Sequence, residues 1–212
     1  MCFHSKQTKS AQEVENRFTA KIEKLNLFQT QENSNGFDFP LNPIITDEKP
    51  NSIQHYNWGL IPSWSKEEDI KKMTLNARIE TLEEKPAFKN SINKRCLVLA
   101  NGFYEWQWLD SKGKNKIKYL IGIENEALFA FAGIYSQWIN TSSGEIKNTY
   151  SIVTTQANGI MAEIHNIKKR MPIILKPEDE KNWLQQHPIQ DFAFPYEVNL
   201  VTKKLSDTLT LF

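Results

Sequence analysis

Arg95-Cys96-Leu97-Val98-Leu99-Ala100-Asn101-Gly102-Phe103-Tyr104-Glu105-Trp106-Gln107-Trp108 lies near the middle of the chain and reads as β-structure, a short apolar run at 96–100 followed by an aromatic one at 103–109. Moving outward, residues 117–123 and 128–138 are strand-like, and residues 150–155 form another strand after a turn at 141–144. Residues 110–115, with Gly113 near their centre, read as a hairpin loop between two of these strands. Late strands are expected at 171–175 and 196–201. Helices belong to the margins. Ser10-Ala11-Gln12-Glu13 has capping-box form, and Val14, Phe18, Ile22 and Leu25 then recur at helical spacing. Residues 66–73 read as a shorter helix. So do residues 177–186, where Pro177 suits the first turn and the acidic residues 178–180 suit its positive end. The polar run 29–36 reads as a loop. Strands in the centre and helices outside predict an α+β fold, one domain over residues 1–212 around a curved, barrel-like, mainly antiparallel sheet with peripheral helices.

The 212 residues are 40% hydrophobic, enough for a substantial core without disulfide or metal. A formal charge of +1 excludes a global basic field. Cys2 and Cys96 are the only cysteines, too few for a disulfide framework or a four-thiolate zinc site. The start of the chain lacks the apolar core of a secretory signal, so the expectation is a protein that is not secreted. The longest apolar stretch, residues 127–135, is far short of the roughly 20 needed to span a bilayer. A reducing compartment follows, the cytoplasm and nucleoid of a bacterium or the nucleus of a eukaryote. Charge is uneven: residues 66–118 carry a surplus of four positive charges, and Lys168-Lys169-Arg170 adds to it. These cations either form one groove or are solvated charges spread over the surface.

Removal of an initiator Met before a small residue would leave Cys2 at the chain start. An α-amine of pKa about 7.7–8.0 then stands beside a thiol of pKa about 8.5. Such an amine attacks an aldehyde to give a Schiff base, and the adjacent thiol closes a five-membered thiazolidine. The plainer reading of Cys2 is a frayed terminus. Cys96 reads as a buried small hydrophobe. Alternation along 103–108 puts Glu105 on one face with Phe103 and Gln107. Buried there, its carboxyl would rise into the range of a general acid or base; on a solvent face it would be an ordinary exposed Glu. His165 lies in a polar interval between a short helical stretch and a strand, and is a candidate acid or base. His4, His55 and His187 have no thiol or carboxylate at metal spacing, so no zinc motif is present. Asn76 offers a donor and an acceptor for an amine or carbonyl, and Arg78 a fork for phosphate. Trp58 and Trp64 bracket a turn-like segment, where they either stack on bases or anchor a loop in the core.

The order of these pieces is more specific than any one of them. Met1-Cys2, Trp58 through Trp64, Asn76-Ala77-Arg78 with Glu80, Gly102-Phe103-Tyr104-Glu105-Trp106, Thr154-Thr155 with Asn158, and His165 before Arg170-Met171-Pro172 resemble the SRAP (SOS-response-associated peptidase) family, whose members are also called abasic-site processing proteins. The resemblance runs from residue 2 to about residue 185. It implies covalent capture of abasic sites in single-stranded DNA by a monomer, with no cofactor or metal. It also implies an active-site set of Cys2, Asn76, Glu105 and His165. Nucleic-acid contacts are implied at Arg78 and Arg170 for flanking phosphates, Trp64 for the bent strand, and Trp58 and Thr155 beside them. The chain departs from the family's Cys-Gly-Arg start with Cys2-Phe3-His4, and has Leu99-Ala100-Asn101 in place of Pro-Ala-Asp. His165 stands five residues before Arg170, where the family usually has two; a longer loop that still carries His165 to the site is the expectation. Two other classes compete. One is a thiol peptidase limited to removing its own leading residue, the other a non-covalent single-strand binder.

Overall fold

The computed structural model describes residues 2–205; Met1, whose removal the sequence leads us to expect, lies outside them, as do residues 206–212. In chain order the elements are β1 (His4–Gln7), α1 (Ala11–Phe18), β2 (Lys21–Ile22), β3 (Gln31–Asn35), β4 (Leu41–Thr46), β5 (Lys49–Trp58), β6 (Asn76–Arg78), β7 (Arg95–Ala100) and β8 (Gly102–Trp108). There follow β9 (Lys116–Gly122), β10 (Phe129–Ile139), β11 (Ile146–Gln156), α2 (Gly159–Ile164), β12 (Arg170–Pro172), β13 (Ile174–Leu175), α3 (Pro177–Leu184) and β14 (Val201–Leu205).

Five strands close on themselves. β5 pairs with β4, β4 with β7, β7 with β10 and β10 with β11, all antiparallel. A parallel contact, Thr149 to Asn57 and Tyr150 to Trp58, joins β11 back to β5. A second sheet, ordered β14-β9-β8-β1-β3, lies over one side of this barrel. The expected α+β, barrel-like and mainly antiparallel architecture is therefore what the chain adopts.

The apolar run at 96–100 is continuous because both faces of β7 are covered. Cys96, Val98 and Ala100 point into the barrel with Ile44, Phe131 and Ile152; the second sheet adds Phe103 and Ile121 to the same cluster, and Cys2, just ahead of β1, joins them. The alternate residues Leu97 and Leu99 point outward with Ile45, Ala132 and Val153, where Val14 of α1 and Trp183 of α3 cover them. Two cores thus share one wall. Cys96 is the buried small hydrophobe expected of it.

Several local expectations need correction. The capping box is present at Ser10 and Glu13, but α1 stops at Phe18, where Thr19 turns left-handed at φ 51°. Glu15 accepts the backbone N–H of Ile22, and Ile22 pairs with β5 as a strand, so a tertiary partner overrides the helical spacing. The 66–73 segment is 3-10 rather than α, confined to Glu68–Met73. The loop read at 29–36 is mostly the edge strand β3, polar because only Ser34 of its five residues is buried. The last strand begins at Val201, later than the 196–201 span that the sequence predicts. No helix among the described residues is long and apolar enough to cross a membrane.

Candidate active site

Cys2, just ahead of β1, is buried among the residues that line the barrel. Pairing of β1 with β8, His4 opposite Tyr104 and Ser5 opposite Phe103, brings that end of the chain beside Glu105. Asn76 opens β6, which runs parallel to β11 with Asn76 opposite Ile152. Its Nδ2 donates to the Cys2 carbonyl at 2.8 Å. Its Oδ1 is buried and has no partner among the described residues. A buried acceptor left in this way is costly, and it suits a ligand or amine donor arriving from the site.

Glu105 is 5% exposed, on the face of β8 that it shares with the buried Phe103, so of the two readings the buried one holds. Burial raises its carboxyl to about 7. His165 stands across from it, Nε2 to Glu105 Oε2 at 3.9 Å. The backbone N–H of Arg170 donates to His165 Nδ1 at 3.1 Å, so the neutral ring carries its proton on Nε2, toward Glu105. Burial lowers this imidazole to about 4, and the positive charges of Lys168 and Arg170 push the same way. The Cys2 thiol is driven far up by burial, with the field of Glu105 adding to it.

The long spacing from His165 to Arg170 is a closed turn. The His165 N–H ends α2 on Met161 O at 2.9 Å, and the Lys169 N–H returns to His165 O at 2.8 Å. Asn166 ties this turn to β8 twice: its Nδ2 donates to Trp108 O at 2.8 Å, and its Oδ1 accepts from Trp108 N at 3.1 Å. The longer loop returns the ring to Glu105. Cys2, Asn76, Glu105 and His165, spread over most of the sequence, meet in one place.

The expected nucleic-acid contacts divide. Arg78 is exposed on the strand that carries Asn76, and Trp64 is half-exposed, its Nε1 donating to Pro86 O at 3.2 Å. Trp58 is not a surface residue. It is wholly buried, stacks near Tyr150 and donates Nε1 at 2.8 Å to the carbonyl of Leu75, the residue before Asn76. Gly36 rests on that indole, where a Cβ would come within 3.3 Å of the ring, and its N–H donates to Phe3 O at 2.8 Å. Thr155 is likewise buried, its hydroxyl accepting the Phe194 N–H at 2.9 Å. Arg170 is inward-facing: Nη1 and Nη2 grip Glu80 at 2.8 Å each, and Nη2 also donates to Thr154 O. Its guanidinium is engaged with Glu80 and fixes the turn whose N–H orients His165.

A cleft of about 310 Å³ opens over Glu105 and His165, between Phe3, Trp106, Trp108, Lys116 and Lys168. A second hollow of about 280 Å³ continues it past His4 and Phe37. Phe3 packs on Phe37 with ring centroids 4.9 Å apart, and His4 sets its ring edge against Trp106 at 5.0 Å. Sequence reading gave Phe3, Phe37, Trp106 and Lys116 no role in the site. Phe3 had the signal of adjacency to Cys2; Phe37 arrives only through the pairing of β1 with β3.

Known proteins share this arrangement of the chain. The family model described as SOS response associated peptidase (SRAP) matches residues 1–209. The abasic site processing protein YoqW of Bacillus subtilis is 46% identical over 162 residues, covering 74% of this chain and 70% of that one. The abasic site processing protein HMCES of Xenopus tropicalis is 34% identical over 194 residues, 76% of this chain and 57% of its own length. A crystal structure of a protein from Bacteroides thetaiotaomicron superposes with a TM-score of 0.87 at 37% identity, over 97% of this chain and 93% of that one. Sequence and fold agree over nearly the whole length, and the chain belongs to the SOS response associated peptidase family.

Proposed function

We propose that this protein processes abasic sites in single-stranded DNA by covalent capture, through a thiazolidine formed by Cys2 once Met1 is removed. The observation that carries this reading is the hydrogen bond from Asn76 to the Cys2 carbonyl, which holds the chain end beside Glu105 and His165.

The ring-opened abasic sugar presents an aldehyde. The Cys2 amine adds to its carbon, forming a C–N bond and a carbinolamine, with Asn76 Oδ1 accepting an amine hydrogen. Loss of water needs a proton on the departing hydroxyl, and a carboxyl titrating near 7 supplies it from Glu105. The thiol then adds to the C=N carbon. An S–C bond forms, the C=N electron pair returns to the nitrogen, which keeps the one hydrogen it carries, and the thiol proton passes to the Glu105 carboxylate. Aminothiol and aldehyde become thiazolidine and water, with no redox change. The neutral Nε2–H of His165 donates to the sugar oxygen during ring opening, and in the reverse direction as the adduct comes apart. Arg78 and Trp64 flank the reacting sugar. Phosphate contacts and stacking on neighbouring bases provide affinity where no base exists to be read.

A thiol peptidase would call for a thiolate paired with an imidazolium. Here burial moves the Cys2 thiol up and the His165 imidazole down, away from that ion pair. These directions support an amine-first mechanism with a neutral thiol.

The test is a denaturing gel of protein incubated with uracil-glycosylase-treated single-stranded DNA. A covalent adduct is expected from the wild type and none from Cys2→Ala. An equal adduct from Cys2→Ala overturns the thiazolidine.

A further inference from the structure

The formal charge of +1 conceals a polarised surface. The cleft over Glu105 and the hollow past His4 share Trp106 and Lys116 with a third depression, of about 680 Å³, that runs along the β8–β9 hairpin to Lys204 of β14. Lys114, Lys116, Lys118, Lys168 and Lys204 line this connected surface, and among the described residues its only carboxylate is the buried Glu105. Two other hollows carry more acid than base by contrast: one holds Glu80, Glu83 and Glu84, another Asp47 and Glu180 with Lys181. None of the five lysines forms an ion pair among the described residues.

The hairpin sets two of these cations side by side. Lys116 and Lys118 alternate along β9 on one face, opposite Trp108 and Trp106 of β8. The Lys116 Nζ lies 4.6 Å from the Trp108 ring centre, and the Lys118 Nζ 4.3 Å from that of Tyr104 and 5.5 Å from that of Trp106. Alternate residues on a strand are about 7 Å apart, comparable to the separation of successive phosphates along an extended single strand. The rings hold the lysine stems against the sheet, which lowers the entropy lost when an anion binds. Trp106 has His4 against it as well as Lys118, so on this ridge the aromatics are better placed to fix cations than to stack bases.

We infer that the lysine ridge of the β8–β9 hairpin and β14 is a track for the phosphate backbone of the DNA strand leaving the abasic site on one side. The inference rests on the proposed capture of abasic DNA and adds a direction to it: one arm of the strand runs over Lys114, Lys118 and Lys204.

The experiment compares adduct formation on a short abasic strand with that on strands extended on the 5′ or the 3′ side only, at protein concentrations below saturation. The wild type is expected to react faster on one of the two extended strands. Lys114→Ala/Lys118→Ala/Lys204→Ala should lose that gain, react with the short strand at the wild-type rate and leave the other extension unaffected; the triple Arg variant should keep the gain. The salt slope of log affinity for the favoured strand should flatten by about 2, at about 0.7 for each phosphate that the three cations no longer neutralise. An Ala variant that keeps the full length-dependent gain overturns the track. Absence of any adduct from the wild type would instead overturn the capture reaction, so the two failures are distinguishable.

Discussion

Glu105 and His165 lie 3.9 Å apart with their protonation equilibria displaced in opposite directions by the same burial. The folded protein keeps a proton on Glu105 from its ordinary 4.5 up to about 7, where the unfolded chain has given it up, so this residue lowers stability as pH rises through that window. The folded protein refuses a proton at His165 from 6.5 down to about 4, where the unfolded chain binds one, so this residue raises stability as pH rises. Over the shared window the two slopes cancel. Glu105→Gln is expected to uncover the rising slope of His165 and, above pH 7, to be more stable than wild type by on the order of 3 kcal/mol. His165→Asn should uncover the falling slope of Glu105. Urea unfolding across this pH range checks both, and parallel curves for all three proteins would contradict the assignment. The rate of adduct formation should also inflect near the Glu105 value in wild type and lose that inflection in Glu105→Gln.

Residues 165–170 form the element on which the site geometry depends. Asn166 joins this turn to β8 by two hydrogen bonds, and Arg170 joins it to Glu80 by two more. Asn166→Ala is expected to cost about 1–3 kcal/mol, measurable by thermal unfolding, because it leaves the Trp108 backbone groups without their partner. It should slow adduct formation more than stability loss alone explains, since His165 loses its fixed distance to Glu105. Glu80→Gln removes the charge with which the Arg170 guanidinium pairs. It should slow the reaction and shift its pH profile while leaving Cys2 chemistry intact, as trapping of the Schiff base by borohydride would show. The central strands were legible because β7 to β11 are apolar on both faces or alternate cleanly. The pair β4 and β5 was not: Pro43, Pro50 and a polar outer stretch conceal strands that pairing alone completes. Cys2, Asn76, Glu105 and His165 were legible as residue types in order, whereas the engagement of Arg170 with Glu80 was not, because an arginine in sequence does not disclose which anion it will meet. The interior position of Trp58 depends likewise on Tyr150, far away in the chain.

In the whole molecule, two cores share the wall made by β4, β7, β10 and β11, so a fault in that wall affects both. A Cβ added at Gly133 would lie 2.7 Å from Cys96 Sγ and 2.9 Å from Val98 Cγ2. Gly133→Ala is therefore expected to destabilise by about 1–3 kcal/mol in denaturant titration. Barrel closure also has a consequence in time. Its last seam joins β5 to β11, and the four site residues are separated by nearly the whole barrel sequence. At roughly 5–20 residues per second of synthesis, about 8–33 s separate the making of Cys2 from that of His165. On the proposed mechanism, the chain end during that interval is an aminothiol with no neighbouring acid, base or wall, open to trimming enzymes and to any passing aldehyde. On the same mechanism, discrimination between a damaged strand and a stray metabolite is acquired on folding, when the pocket closes around Cys2.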